Sequence, residues 1–130
     1  MTPLTTVLLI DDNDDDNYFH ERVLRRSGLV DHILAYEGAQ QALDYLLGPD
    51  CTKVDAILLD INMPCMNGFE FLDAYTQSAV GQAQIPVLLM ITTALNPGDQ
   101  ARAKMFPVVQ GCLRKPLDMD KLIEVFDGQA

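Results

Sequence analysis

The residues in this chain that could do chemistry together are three acids, Asp11, Asp12 and Asp60, with Lys115 and a hydroxyl at Thr92 or Thr93. Carboxylates brought to one place repel, and unrelieved they take up protons or destabilise the fold. A divalent cation relieves this, and an all-oxygen donor set points to magnesium, with manganese able to substitute. Magnesium takes few protein carboxylates and keeps several waters, so it stays open to a phosphate oxygen. One carboxylate can then act as nucleophile while the metal neutralises the incoming group. Phosphoryl transfer is mainly positioning plus charge stabilisation, and a lysine and a hydroxyl at the same edge would complete the requirement.

The elements that must position these groups can be read from the apolar runs. Asp60 ends the run Ala56-Ile57-Leu58-Leu59, within a third strand expected at Val54–Leu59, and Pro64 and Gly68 then enforce a loop. Asp11 and Asp12 follow the branched run Thr6–Ile10, a strand buried on both faces. Asp11–Asp16 reads as an acidic turn. A helix with Phe19, Val23 and Leu24 inward and Arg22, Arg25 and Arg26 outward follows and stops at Gly28. A short strand at Ile33–Tyr36 leads to a helix over Ala39–Leu47, carrying Ala42, Leu43, Leu46 and Leu47 and ended by Gly48-Pro49. Phe69, Leu72 and Tyr75 give the next helix its apolar face, and Gln77–Gln84 is a loop. Pro86–Ile91 is the fourth strand. Asn96–Asp99 is a turn launching a helix through Ala101, Ala103 and Met105, Gly111–Arg114 is a weak fifth strand, and Leu117–Phe126 is a final helix with Asp118 near its N-cap.

Strand and helix alternate five times, which predicts an α/β fold: an open parallel (βα)5 sheet with helices on both faces. In the flavodoxin-like strand order 2-1-3-4-5, the tips of the first and third strands flank one crevice. That order would bring Asp11 and Asp12 beside Asp60.

Composition narrows the function classes. A chain of 130 residues suits one domain, and 48% hydrophobic with 22% charged residues is ordinary for a globular protein. The formal charge of -10 argues against nucleic acid, whose phosphates select basic surfaces. Cys51, Cys65 and Cys112 form no C-x-x-C pair, so neither a zinc site nor a disulfide framework is expected. No apolar run is long enough for a signal peptide or membrane span, and a cytoplasmic location with no membrane partner is expected.

The stretches L-L-I-D-D at Leu8–Asp12, L-L-D-I-N-M-P-C-M-N-G-F at Leu58–Phe69, I-T-T-A-L-N-P at Ile91–Pro97 and R-K-P-L at Arg114–Leu117 resemble the response-regulator receiver domain of two-component signalling. The resemblance covers nearly the whole chain and implies a single receiver domain, residues 1–130, without an output domain. It implies that Asp60 is the phosphoacceptor, that Asp11 and Asp12 are the acidic metal pair, that the backbone carbonyl of Asn62 is a metal ligand, and that Lys115 binds phosphate. The T-T-A-L-N-P stretch is similar to T-S-S-L-N-P of a subgroup of small stand-alone receivers, a register that puts the switch hydroxyl on Thr92. The implied partners are a sensor histidine kinase or histidine phosphotransfer protein and an unidentified downstream protein. The implied role is a phosphoacceptor signalling protein, not a turnover enzyme. The chain departs from the family at Cys112, where receivers usually carry Tyr or Phe, and at Met105–Val109, which replaces a small Gly-containing turn.

Plainer roles compete for some of these residues. Asp60 could cap a helix, but Ile61–Pro64 delays the next one. Asp14–Asp16 is read as a solvated charge run. An EF-hand fails because its loop needs Gly at position six and Glu at twelve; counting from Asp11 these are Asp16 and Arg22. Lys115 before a helix start is unfavourable for a cation with only a surface role. His20 reads as a surface histidine, and Met63, Met66, Met90 and Met105 as packing residues. The competing functions are a magnesium-dependent phosphohydrolase with Asp11 as nucleophile and a receiver-shaped binding module without phosphate signalling.

Overall fold

Branched apolar runs form the strands because they fit a pleated surface buried on both sides. The computed structural model describes residues 4–28, 30–48, 54–61, 66–77, 87–91, 97–114 and 120. In chain order the elements are β1 (Leu4–Ile10), α1 (Asp14–Ser27), β2 (Val30–Tyr36), α2 (Ala39–Leu47), β3 (Ala56–Asp60), α3 (Gly68–Thr76), β4 (Val87–Ile91), α4 (Pro97–Lys104) and β5 (Val109–Arg114). The five strands make one sheet in the order β2-β1-β3-β4-β5, and each neighbouring pair is parallel. This is the flavodoxin-like order expected from the sequence.

Right-handed crossovers fix where the helices lie. The chain moves one way from β1 to β2 and the other way from β2 through β5, so α1 covers the face opposite to α2, α3 and α4. Leu8 and Ile10 of β1 pack with Ile57 and Leu59 of β3 and with the apolar sides of α2 and α3. Along β3 every residue is buried, including Asp60. Fully burying a Leu or Ile side chain contributes about 1.5–3 kcal/mol, so this central strand tolerates polar replacement poorly. Asp55, just ahead of it, accepts the Thr6 N–H at 2.9 Å through Oδ2 and donates its own N–H to the Thr6 carbonyl at 2.8 Å, locking β3 to β1.

Several expectations are corrected. The strands β1, β2 and β5 begin earlier than the apolar runs suggest, because pairing with a neighbour satisfies the backbone of polar residues too. Helix α1 begins at Asp14, so Asp14–Asp16 form its first turn instead of an acidic loop. Acids there complement the positive end of the helix dipole. The buried stripe of α1 is Asn17, His20 and Leu24, whereas Phe19 is 46% exposed. His20 is therefore an interior histidine, 2% exposed, not a surface one. Leu47 lies at the end of α2 and is exposed, and Met105, 77% exposed, is no packing residue. Gly68 is the first residue of α3 and belongs to the helix, not only to the loop. Gly28 ends α1 with φ 71°, the left-handed conformation that only glycine adopts without cost. Most of the loop expected at Gln77–Gln84, the expected Leu117–Phe126 helix with Asp118 apart from the helical residue Asp120, and Met63 lie outside the described residues, as do the side chains of Met90 and Cys112.

Candidate functional site

Strand register brings the acids together. Ile10 of β1 pairs with Leu59 of β3, so the next residues, Asp11 and Asp60, stand at the same level on adjacent strands. Asp12 follows Asp11 at the start of the turn into α1. A carboxylate oxygen from each of Asp11, Asp12 and Asp60 lies within 4.8 Å of the others. Asp11 and Asp60 are each 3% exposed, while Asp12 faces solvent. Two unit charges at that range repel by about 3 kcal/mol at an effective dielectric of ~20, and by less where Asp12 meets water. The arrangement is a donor set of hard oxygens with one open side, which fits a divalent cation.

Asp11 is held by its surroundings. Its N–H donates to the Tyr36 carbonyl at 3.1 Å, and its Oδ1 accepts the Asn13 N–H at 3.0 Å. Its carbonyl accepts the Asn17 side-chain amide at 2.9 Å. Asn13 is the N-cap of α1, its Oδ1 accepting the Asp16 N–H at 3.0 Å, so the turn that carries the acid pair is also the start of a helix.

Asp60 is held from the other direction. It ends β3 and does not cap α3; that role belongs to Asn67. The Asn67 side chain accepts the Glu70 N–H, and the Glu70 side chain accepts the Asn67 N–H, both at 2.9 Å. The Gly68 N–H donates to the Ile61 carbonyl at 2.9 Å, closing the loop against the strand end. A Cβ on Gly68 would lie 2.8 Å from the Asp60 carbonyl oxygen and 2.9 Å from the Ile61 Cα. Only glycine lets α3 start this close to the peptide of Asp60.

Of the other residues singled out in the sequence, Asn62, Thr92, Thr93 and Lys115 lie outside the described residues. Their neighbours in sequence are in place: Asp60 pairs with Met90 and Ile91 pairs with Arg114, so β3, β4 and β5 finish at one edge. Sequence reasoning missed Asn17, the Asn67–Glu70 capping box and Arg102, whose guanidinium sits 4.6 Å from the centre of the Phe69 ring. The capping box was legible as N-x-x-E ahead of an apolar run. Asn17 left no such signal, because a polar residue at the spacing 17, 20, 24 does not register in a hydrophobic pattern.

The response regulator receiver domain family matches residues 7–127. Two-component response regulator ARR17 of Arabidopsis thaliana is 34% identical over 132 residues, with 89% of this chain and 80% of that protein covered. Sensory/regulatory protein RpfC of Xanthomonas campestris pv. campestris is 29% identical over 123 residues; the match covers 91% of this chain and spans only 15% of that protein's length. A two-component response regulator from Cytophaga hutchinsonii has a similar structure, with TM-score 0.85, 28% identity, and coverage of 97% of this chain and 96% of that one. No helix among the described residues is long and apolar enough to cross a membrane.

Proposed function

Because the chain belongs to the response regulator receiver domain family, we propose that Asp60 accepts a phosphoryl group from a phosphohistidine of a sensor histidine kinase or a histidine phosphotransfer protein. The observation that carries this is the convergence of Asp11, Asp12 and Asp60 at the tips of neighbouring strands. Asp11, Asp12, Asp60 and the Asn62 carbonyl would hold magnesium, which supplies charge neutralisation for the phosphoryl oxygens. An Asp60 carboxylate oxygen attacks phosphorus in line with the leaving nitrogen. A phosphorus–oxygen bond forms, the phosphorus–nitrogen bond breaks, and the departing imidazole keeps the electron pair. Thr92 and Lys115 hold the transferred oxygens by a hydroxyl hydrogen bond and a point charge.

The burial of Asp60 supports its role as acceptor. A carboxylate at a strand end, 3% exposed, meets solvent over only a small part of its surface. The product carries a charge of about -1.5 to -2, by analogy with other phosphorylated side chains, and its readout is a change in a protein-binding surface. The site chemistry and the -10 charge of the chain favour protein partners over nucleic acid.

Beryllofluoride, which mimics an aspartyl phosphate, tests the proposal. With magnesium present it should shift the amide spectra of residues around Asp60, and Asp60→Asn should abolish the response. Unchanged spectra in the native protein would instead indicate a binding module that does not signal by phosphate.

A further inference from the structure

We propose that Asn17 is a positioning residue that sets the cation affinity of the acidic site without entering it, by fixing the peptide between Asp11 and Asp12. This rests on the reading of Asp11, Asp12 and Asp60 as a divalent-cation site.

Asn17 lies on the inward stripe of α1 with His20 and Leu24 and is 7% exposed. An amide buried there is costly unless it is hydrogen-bonded, and an aliphatic side chain would fill the same place without that cost. Its nitrogen donates to the Asp11 carbonyl at 2.9 Å, six residues back, in a buried bond. The acceptor fixes the orientation of the amide, because a carbonyl can only accept. The other half of the amide, Oδ1, is buried and has no hydrogen-bond partner among the described residues. Capping does not explain the residue, because Asn13 already caps α1.

The bond acts where it matters for the acids. The Asp11 carbonyl is part of the planar peptide that joins Asp11 to Asp12. Holding that oxygen fixes the plane, and with it the direction in which the Asp12 side chain leaves the backbone. The Asp11 N–H is already tied to Tyr36 and its Oδ1 to the Asn13 N–H. Asn17 adds the restraint on the far side of the Asp11 α-carbon. Without it the peptide can rotate, and the exposed carboxylate of Asp12 drifts from those of Asp11 and Asp60. Loss of groups that orient metal ligands typically weakens metal binding by 10–100-fold, and one backbone bond belongs at the lower end, about tenfold.

The test is a manganese titration followed by electron paramagnetic resonance, on the native chain, Asn17→Leu and Asn17→Ala, with thermal unfolding of each in the absence of metal. Leucine fills the space without the donor; alanine guards against a leucine that packs badly. The expected result is a manganese affinity about tenfold weaker in both variants, while Asn17→Leu unfolds at or above the native temperature. A manganese affinity within twofold of native in a folded variant overturns the proposal. So does weakened binding that merely tracks loss of folded protein in both variants, since that makes Asn17 structural only. The underlying site reading fails separately, if the native chain binds no manganese or if binding survives Asp11→Asn unchanged.

Discussion

At the residue scale the proposed acceptor site depends on what is missing from Gly68. A methyl group there would press on the carbonyl of Asp60 and the α-carbon of Ile61, both backbone atoms that cannot swing aside. Gly68→Ala should therefore cost about 1–3 kcal/mol, as overpacking does, seen as a lower urea midpoint with unchanged slope. It should also blunt the beryllofluoride response, because relief requires moving the Asp60 peptide. Asp12 makes the opposite prediction. It is the exposed member of a repelling trio, so Asp12→Asn should raise the melting temperature of the metal-free protein. The same change should remove most of the stabilisation that added magnesium gives the native chain. A ligand at concentration L stabilises the fold it binds by RT ln(1 + L/Kd), which vanishes once the dissociation constant far exceeds L. Thermal scans with magnesium and with a chelator check both. The acids were legible in the sequence because Asp11 and Asp60 each directly follow an apolar run and Asp12 follows Asp11. Asn17 was not, because a side chain whose function is to hold a carbonyl leaves no trace in hydrophobic pattern.

The elements show why helix phase was the weaker part of the sequence reading. Phe19 and Asn17 are separated by roughly 200° around a helix, so α1 can turn only one of them inward. Apolarity favours Phe19. The structure turns Asn17 inward, because the end of α1 lies against the turn that carries Asp11 and Asp12 and has to supply a hydrogen bond there. The same rotation makes His20 interior and leaves Tyr18 and Phe19 on the surface. Helix α3 was read correctly through Phe69, Leu72 and Tyr75, all buried, because nothing polar competes for its inner face. Its start rests on the reciprocal Asn67–Glu70 bonds, and Asn67→Ala should cost about 1 kcal/mol in chemical denaturation. Helix α4 is tied to the first turn of α3 by Arg102 over Phe69. With Arg102 exposed and the ring buried, a cation–π contact of this kind contributes about 0.5–1 kcal/mol. Arg102→Gln should lower stability by that amount, and Phe69→Leu should remove the effect of the Arg102 change in a double-mutant cycle.

At the scale of the whole molecule, the site follows from topology. The order β2-β1-β3-β4-β5 makes β1 and β3 neighbours, although a helix, a strand and another helix separate them in the chain. The Ile10–Leu59 pairing then sets Asp11 and Asp60 level. Alternating apolar runs and amphipathic helices were enough to read this arrangement, because a parallel sheet admits few connections. Register was not legible to the residue, since it depends on side-chain packing between strands and not on any one strand's pattern. Moving a two-state surface from 1:99 to 99:1 needs about 5.5 kcal/mol of differential stabilisation, which under the proposed function would come from the added phosphoryl charge.

The most direct measurement is the intact mass of the chain after incubation with magnesium and a small phosphodonor such as acetyl phosphate, with peptide mapping and an Asp60→Asn control. One phosphoryl group located on Asp60, absent from Asp60→Asn and absent when magnesium is chelated, is the predicted result. A phosphoryl group that persists in Asp60→Asn, or catalytic turnover of the donor that needs Asp11 and not Asp60, would contradict the account.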